Sequence, residues 1–232
     1  MMTISTSSNR RRLLTVFCLA ALAAIFVTNP LTGIVVRGYS ASPLLIAIRG
    51  FAAPVHMACF VGAAFAIMQV LRPKADRAGL AGGALVILGW AVGIRILGLG
   101  QLEALLASGV TGLPADTLRK MFESAPIVWT SIVPLGLLFP IGMMTLGIAT
   151  MATGRMPRWI GAAMALGGLL FPVGRIGQIP WAFVACDVLF GVAFAMIAWQ
   201  VFTRPELWSG EETLAPATRA EVPLAAALPE GR

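Results

Sequence analysis

Residues 181–202 read WAFVACDVLFGVAFAMIAWQVF, an apolar run interrupted by one charge, Asp187. Wound as an α-helix at about 1.5 Å per residue, the run is about 33 Å long, enough to cross a bilayer core. Apolar residues fall on every side of it, so no face is suited to water. No strict alternation of apolar and polar residues marks a barrel strand. The stretch reads as a membrane crossing with a carboxylate inside it.

Working outward, five more stretches read the same way: residues 13–36, 43–71, 80–99, 127–152 and 159–176. Lipid admits only helices and closed barrels, because backbone groups find no water there. The expected fold is therefore all-α, a polytopic six-helix transmembrane bundle. Composition agrees: 58% of the 232 residues are hydrophobic, 12% are charged and mean hydropathy is +0.87. A soluble domain carries about 25% charged residues. The first run, behind Arg10 to Arg12, also has the look of a signal peptide. Its length and the five later runs favour a retained helix, ending near Asn29-Pro30. Residues 1–12 then form a basic N-terminus, 13–203 the transmembrane domain, and 204–232 a disordered tail rich in Ala, Pro and Glu.

Orientation follows from the cations between runs. One set of connections holds Arg10, Arg11, Arg12, Arg72, Lys74, Arg77, Arg155, Arg158 and Arg204; the other holds only Arg37, Arg119 and Lys120. This positive-inside asymmetry places both termini on the cytoplasmic side of the membrane. Trp129 and Trp181 would mark the outer interface, Trp159 and Trp199 the inner one. The outer connection 101–126 contains a segment from Pro114 and Asp116 whose Leu118, Met121 and Phe122 share a face. It reads as an amphipathic helix on the outer surface, a connector or a lid.

Several function classes fall away. The net charge of +7 is spread along the connections rather than gathered into a basic patch, so nucleic acid is not an expected partner. Cys18, Cys59 and Cys186 lie in apolar runs and read as packing thiols. One histidine excludes multi-His metal sites, and no metal or cofactor is expected. Walker, H-E-x-x-H, G-x-S-x-G and dinucleotide fingerprints are absent. Ser131, His56 and Asp187 have triad chemistry but no local spacing that supports it.

The candidate site is the set of ionisable side chains within the runs: Arg49, His56, Arg95, Arg175 and Asp187. All fall in the outer half by helical depth. A charge at a helix centre costs about 2.5–3.5 kcal/mol on the insertion scale, so their co-location marks a ligand-binding pocket. Arg49 and His56 are seven apart and share a face, and Ala and Gly neighbours suit all of these faces to helix contact. Asp187 can neutralise one guanidinium, Arg95 and Arg175 being the candidates. Excess arginine favours an anionic partner, which the planar guanidinium grips as a fork. Plainer readings stand beside this. Arg49 and Arg175 can snorkel, an Arg95–Asp187 pair can be structural, and His56 can be a packing histidine.

Pro54, Pro134, Pro140 and Pro172 each free a carbonyl and bend their helix. The string Gly136-Leu-Leu-Phe-Pro-Ile-Gly142 recurs as Gly168-Leu-Leu-Phe-Pro-Val-Gly174 in the next run. A transporter's inverted repeat would relate runs one to three with four to six, and no such longer echo is present.

The basic start at Arg10 to Leu14, the outer amphipathic segment, and the stretch from Pro134 through Gly154-Arg-Met-Pro-Arg-Trp-Ile-Gly161 to Phe171 resemble a bacterial six-span membrane protein family of unknown function. The resemblance implies the fold and a cytoplasmic-membrane location, and no activity. From the residues, the leading expectation is binding or transport of a small anionic or amphipathic (lipid-like) molecule from the outer leaflet. A structural or regulatory membrane subunit is the alternative. A lipid-modifying enzyme using His56 and Asp187 comes third.

Overall fold

A computed structural model describes residues 6–36, 43–107, 133–177 and 179–209. Among them the chain is all-helical: α1 (Thr6–Val36), α2 (Pro43–Ala107), α3 (Val133–Gly136), α4 (Leu138–Thr153), α5 (Arg158–Arg175), α6 (Pro180–Thr203) and α7 (Glu206–Ser209). Among the described residues three stretches, Ala58–Ala91, Pro134–Thr153 and Pro180–Thr203, are by length and composition apolar enough to cross a membrane, the first of them holding the kink at Ala75. The sequence places the end of the first run near Pro30, yet α1 continues to Val36. A proline is tolerated inside such a helix when neighbours satisfy the carbonyl it frees. The outer amphipathic segment lies outside the described residues.

The expected connection between the second and third runs is helical except at Ala75 (φ −145°, ψ 45°). That residue reverses the chain. The Phe60 and Trp90 ring centroids are 4.3 Å apart, whereas a straight helix would separate residues thirty apart by about 45 Å. Arg72 and Lys74 close the first arm and Asp76 opens the second, each at the helix end where its charge complements the dipole.

A break at Leu137 separates α3 from α4, because Pro140 has no N–H for the Gly136 carbonyl; Ile141 N–H resumes the ladder at Leu137 O, 3.2 Å away. The two α2 arms, α4, α5, α6 and α1 follow one another around the bundle, and α1 packs on both α6 and α2 to close it. A shared aromatic core fills the centre: Phe26 from α1, Phe60 and Trp90 from the α2 arms, Phe139 from α4, Phe190 and Phe194 from α6. Edge-on and tilted rings of this kind add about 0.5–1.5 kcal/mol per pair beyond burial. The repeated heptapeptides face each other within it, their equivalent Phe139 and Phe171 rings 4.8 Å apart.

Glycine lets α4 and α5 touch. A Cβ on Gly147 would fall 2.5 Å from the Gly161 carbonyl, and one on Gly161 would meet the Gly147 carbonyl in return. Small residues in this role are the usual means of close helix approach in lipid. Gly154, at φ 62°, then ends α4 in a left-handed cap.

The following turn is locked. Arg155 donates to Val70 O (2.6 Å) and Glu206 O (3.3 Å), while Arg204 donates to Arg155 O (3.4 Å) and to Glu206 Oε1 (3.1 Å). Beyond residue 203, α7 adds a helical turn that buries Leu207. These contacts bring the α4–α5 turn, the end of the first α2 arm and the α6–α7 junction to one end of the bundle. We call it the basic end. The outer surface is apolar, with Leu14, Phe17, Leu80 and Trp181 each more than 60% exposed.

Candidate functional site

The site lies at the other end. Pro172 sits in the last part of α5, and its carbonyl accepts from both Ile176 N–H (2.9 Å) and Gly177 N–H (3.0 Å), which closes the helix. Arg175 occupies that last turn, where a cation is favoured by the dipole. Extended Ile179 and Pro180 at the first turn then start α6. Asp187 follows two turns into α6 and is wholly buried.

Across this turn Arg175 Nη2 donates to both carboxylate oxygens of Asp187, at 2.8 and 3.0 Å. The guanidinium carbon stands 3.8 Å from the Phe183 ring centroid and 5.8 Å from that of Phe171. Two rings and a carboxylate thus hold the cation, yet about a third of the side chain (31%) remains exposed. Of the two arginines the sequence offers to Asp187, the structure shows Arg175 as a partner. Beside the carboxylate, the Cys186 thiol donates to Gly167 O at 3.3 Å. All three cysteines are free and buried.

His56 comes from the first arm of α2. Its ring lies 5.7 Å from Phe26, 5.1 Å from Phe60 and 4.8 Å from Trp90, and Arg175 is within electrostatic range of it. The imidazole therefore packs among rings, but its buried Nε2 has no hydrogen-bond partner. The same holds for Nε1 of Trp90, itself only 9% exposed. An unsatisfied buried polar group costs about 1–3 kcal/mol, and two stand side by side here.

Of the five candidates, then, Arg175 and Asp187 are paired, and His56 lies within electrostatic range of Arg175. The backbones of Arg49 and Arg95 are helical in α2, but their side chains lie outside the described residues, as does Ser131. Trp90 is the residue that sequence reasoning missed. Its signal was an indole in mid-run, away from either interface where indole N–H groups find water. No group of three or more His, Cys, Asp or Glu suited to a metal occurs among the described residues.

Chemically, the site offers a half-open guanidinium, an indole that can only donate, and an imidazole that can donate or accept. No family model, no curated protein and no solved structure matches this chain.

Proposed function

We propose that the protein is a six-span integral membrane protein of the bacterial cytoplasmic membrane, with both termini inside, that binds a small anionic or amphipathic molecule at the end opposite its basic turns. The observation that carries this reading is the pair of orphaned nitrogens, His56 Nε2 and Trp90 Nε1, within whose electrostatic surroundings stands a guanidinium that Asp187 holds but does not enclose. The apolar outer surface and the gathering of Arg155 and Arg204 away from Asp187 support the crossing and its direction. Arg49 and Arg95, from the same half of their runs, would add positive charge toward an anionic head group. Transport would require the molecule to pass the aromatic core, so binding is the simpler form.

The test is native mass spectrometry of the protein purified from its own membrane, wild type beside Trp90→Phe and Arg175→Gln. Phenylalanine keeps the packing and removes only the unpartnered N–H. A small molecule that co-purifies with wild type and is lost or depleted at least tenfold in Trp90→Phe, at unchanged melting temperature, supports the reading. Identical spectra from all three forms would sink it.

One observation favours a structural-subunit reading: Arg175 and Asp187 join consecutive helices and Asp187 has no exposure, as a packing clamp would. Under that reading Arg175→Gln lowers the melting temperature, and neither substitution alters what co-purifies.

A further inference from the structure

The second feature lies toward the basic end, among residues other than those of the His56 site. α1 runs antiparallel to α6. At Gly191 they touch, where an added Cβ would fall 2.8 Å from Val27 Cγ2 and 3.3 Å from the Ala23 carbonyl. From there toward the start of α1 and the end of α6, the two helices border a groove of about 340 Å³. Val16, Ala20 and Ala23 line one wall, and Ala195, Ala198 and Phe202 the other. Trp199 completes the lining and is itself 58% exposed, so the groove opens outward rather than into the core.

The α1 wall does not end at Val16. Arg12 precedes Val16 by four residues and Ala20 by eight, which puts it on the same helical stripe, one turn closer to the mouth. Its Nε is buried and has no hydrogen-bond partner. Arg10, Arg11 and Arg204 are exposed at the same end. An apolar groove thus points toward Arg12, whose Nε is unpaired, at an end where Arg10 and Arg11 are exposed and Arg204 is paired with Glu206. That pairing of chemistries matches a phospholipid with an anionic head group: acyl chain below, phosphate above.

We propose that the α1–α6 groove binds one anionic phospholipid, its acyl chain lying along Ala20, Ala23 and Ala198 and its phosphate accepting from Arg12. The proposal rests on the bundle being embedded in a membrane, but not on the His56–Arg175 site. Small alanines keep the channel open, and Arg12 selects the head group. A zwitterionic lipid fills the channel equally well but brings a cationic group to the same end.

The experiment uses the full chain, delipidated in detergent and titrated with phosphatidylglycerol or phosphatidylcholine of identical acyl chains, with bound lipid counted by native mass spectrometry. Wild type binds one phosphatidylglycerol about fivefold or more tighter than phosphatidylcholine, the worth of one arginine beside an anionic lipid. Arg12→Gln removes that preference and leaves phosphatidylcholine binding unchanged. Ala20→Leu and Ala195→Leu fill the channel from exposed positions, so the fold persists by thermal melt while both lipids are lost. Equal affinity of wild type for the two lipids overturns the proposal, as does undiminished binding in both filled variants. A dimer that Ala20→Leu splits would make a second copy the occupant and overturn it too. Loss of lipid selectivity with the small molecule of the His56 site retained separates this result from any failure at the other end.

Discussion

One nitrogen of Arg175 spans both carboxylate oxygens of Asp187, at 2.8 and 3.0 Å, twelve residues along the chain and across the α5–α6 turn. The contact joins a partly exposed cation to a fully buried anion, so the two partners are not equivalent. Arg175 without Asp187 can turn toward the surface. Asp187 without Arg175 is left as an anion in an apolar interior. Proline and helix dipole set this arrangement up: the Pro172 carbonyl accepts from the Ile176 cap and closes α5 at Arg175, its last residue, and Pro180 starts α6 where Asp187 falls two turns deep.

That asymmetry gives the first prediction. Arg175→Leu should cost about 3 kcal/mol or more, because it strands a buried carboxylate, whereas Asp187→Leu should cost less. The double substitution should recover most of the loss. Thermal unfolding of purified protein in detergent, followed by tryptophan fluorescence, measures all three. A double variant as unstable as Arg175→Leu would show that the pair is not the source of the loss.

The sequence made much of this end legible and left a definite part obscure. Asp187 stands out because it is the sole charge in a run of 22 residues, and Arg175 because a guanidinium near Pro172 is rare in such a run. Which arginine meets Asp187 depends on the phase of α5 against α6, and that phase is set by contacts such as Gly174 against Phe183, not by spacing along either helix. Trp90 was hidden for a related reason. Its neighbour His56 is 34 residues away, and only the reversal at Ala75 brings the two rings together. Residues around Ala75 read as a polar connection, and their charges do mark a reversal. They mark it within helix, because Arg72, Lys74 and Asp76 each suit the helix end they occupy.

Close approach of α4 and α5 yields a prediction with an internal control. Gly147→Ala places a Cβ against the Gly161 carbonyl and should destabilise by about 1–3 kcal/mol, the usual cost of overpacking. Gly136→Ala meets nothing within 4 Å and should be neutral or stabilising by about 0.5 kcal/mol, since alanine is the better helix former. Melting temperatures of the two variants should move apart. Equal shifts would mean that α4 and α5 do not touch at these glycines.

Cys18 of α1 and Cys59 of α2 are buried close enough for their thiols to interact, and Cys18 Sγ lies 2.8 Å from the Cβ position of Gly62. A membrane-permeant oxidant such as copper phenanthroline should therefore couple them within one chain. Thiol titration after unfolding should find two of the three thiols lost. Cys186, which faces Gly167 on the other side of α6, should stay free. Cysteine-to-serine variants assign the pair. Persistence of all three thiols under conditions that cross-link a known adjacent pair would place α1 differently.

Glu206 supplies a pH dependence outside the crossings. A hydrogen bond from its own backbone N–H, and then Arg204 and Arg155, hold its carboxyl below the ordinary value of 4.5 in the folded chain. A depressed folded value means that the stabilisation is complete above pH 4.5 and is lost as pH falls through the folded value. The side chain is 40% exposed, so water screens the gain and the effect stays local to α7. Trp208, which packs against the core beside buried Leu207, reports on it. In a variant whose other tryptophans are phenylalanine, emission should redden as pH falls from 5 to about 3. Glu206→Gln removes the titrating group and should show the reddened spectrum, or a constant one, throughout that range. A pH-dependent change of equal size in Glu206→Gln would assign the transition to another group, because protonating Glu206 would then contribute nothing to holding α7 on the bundle.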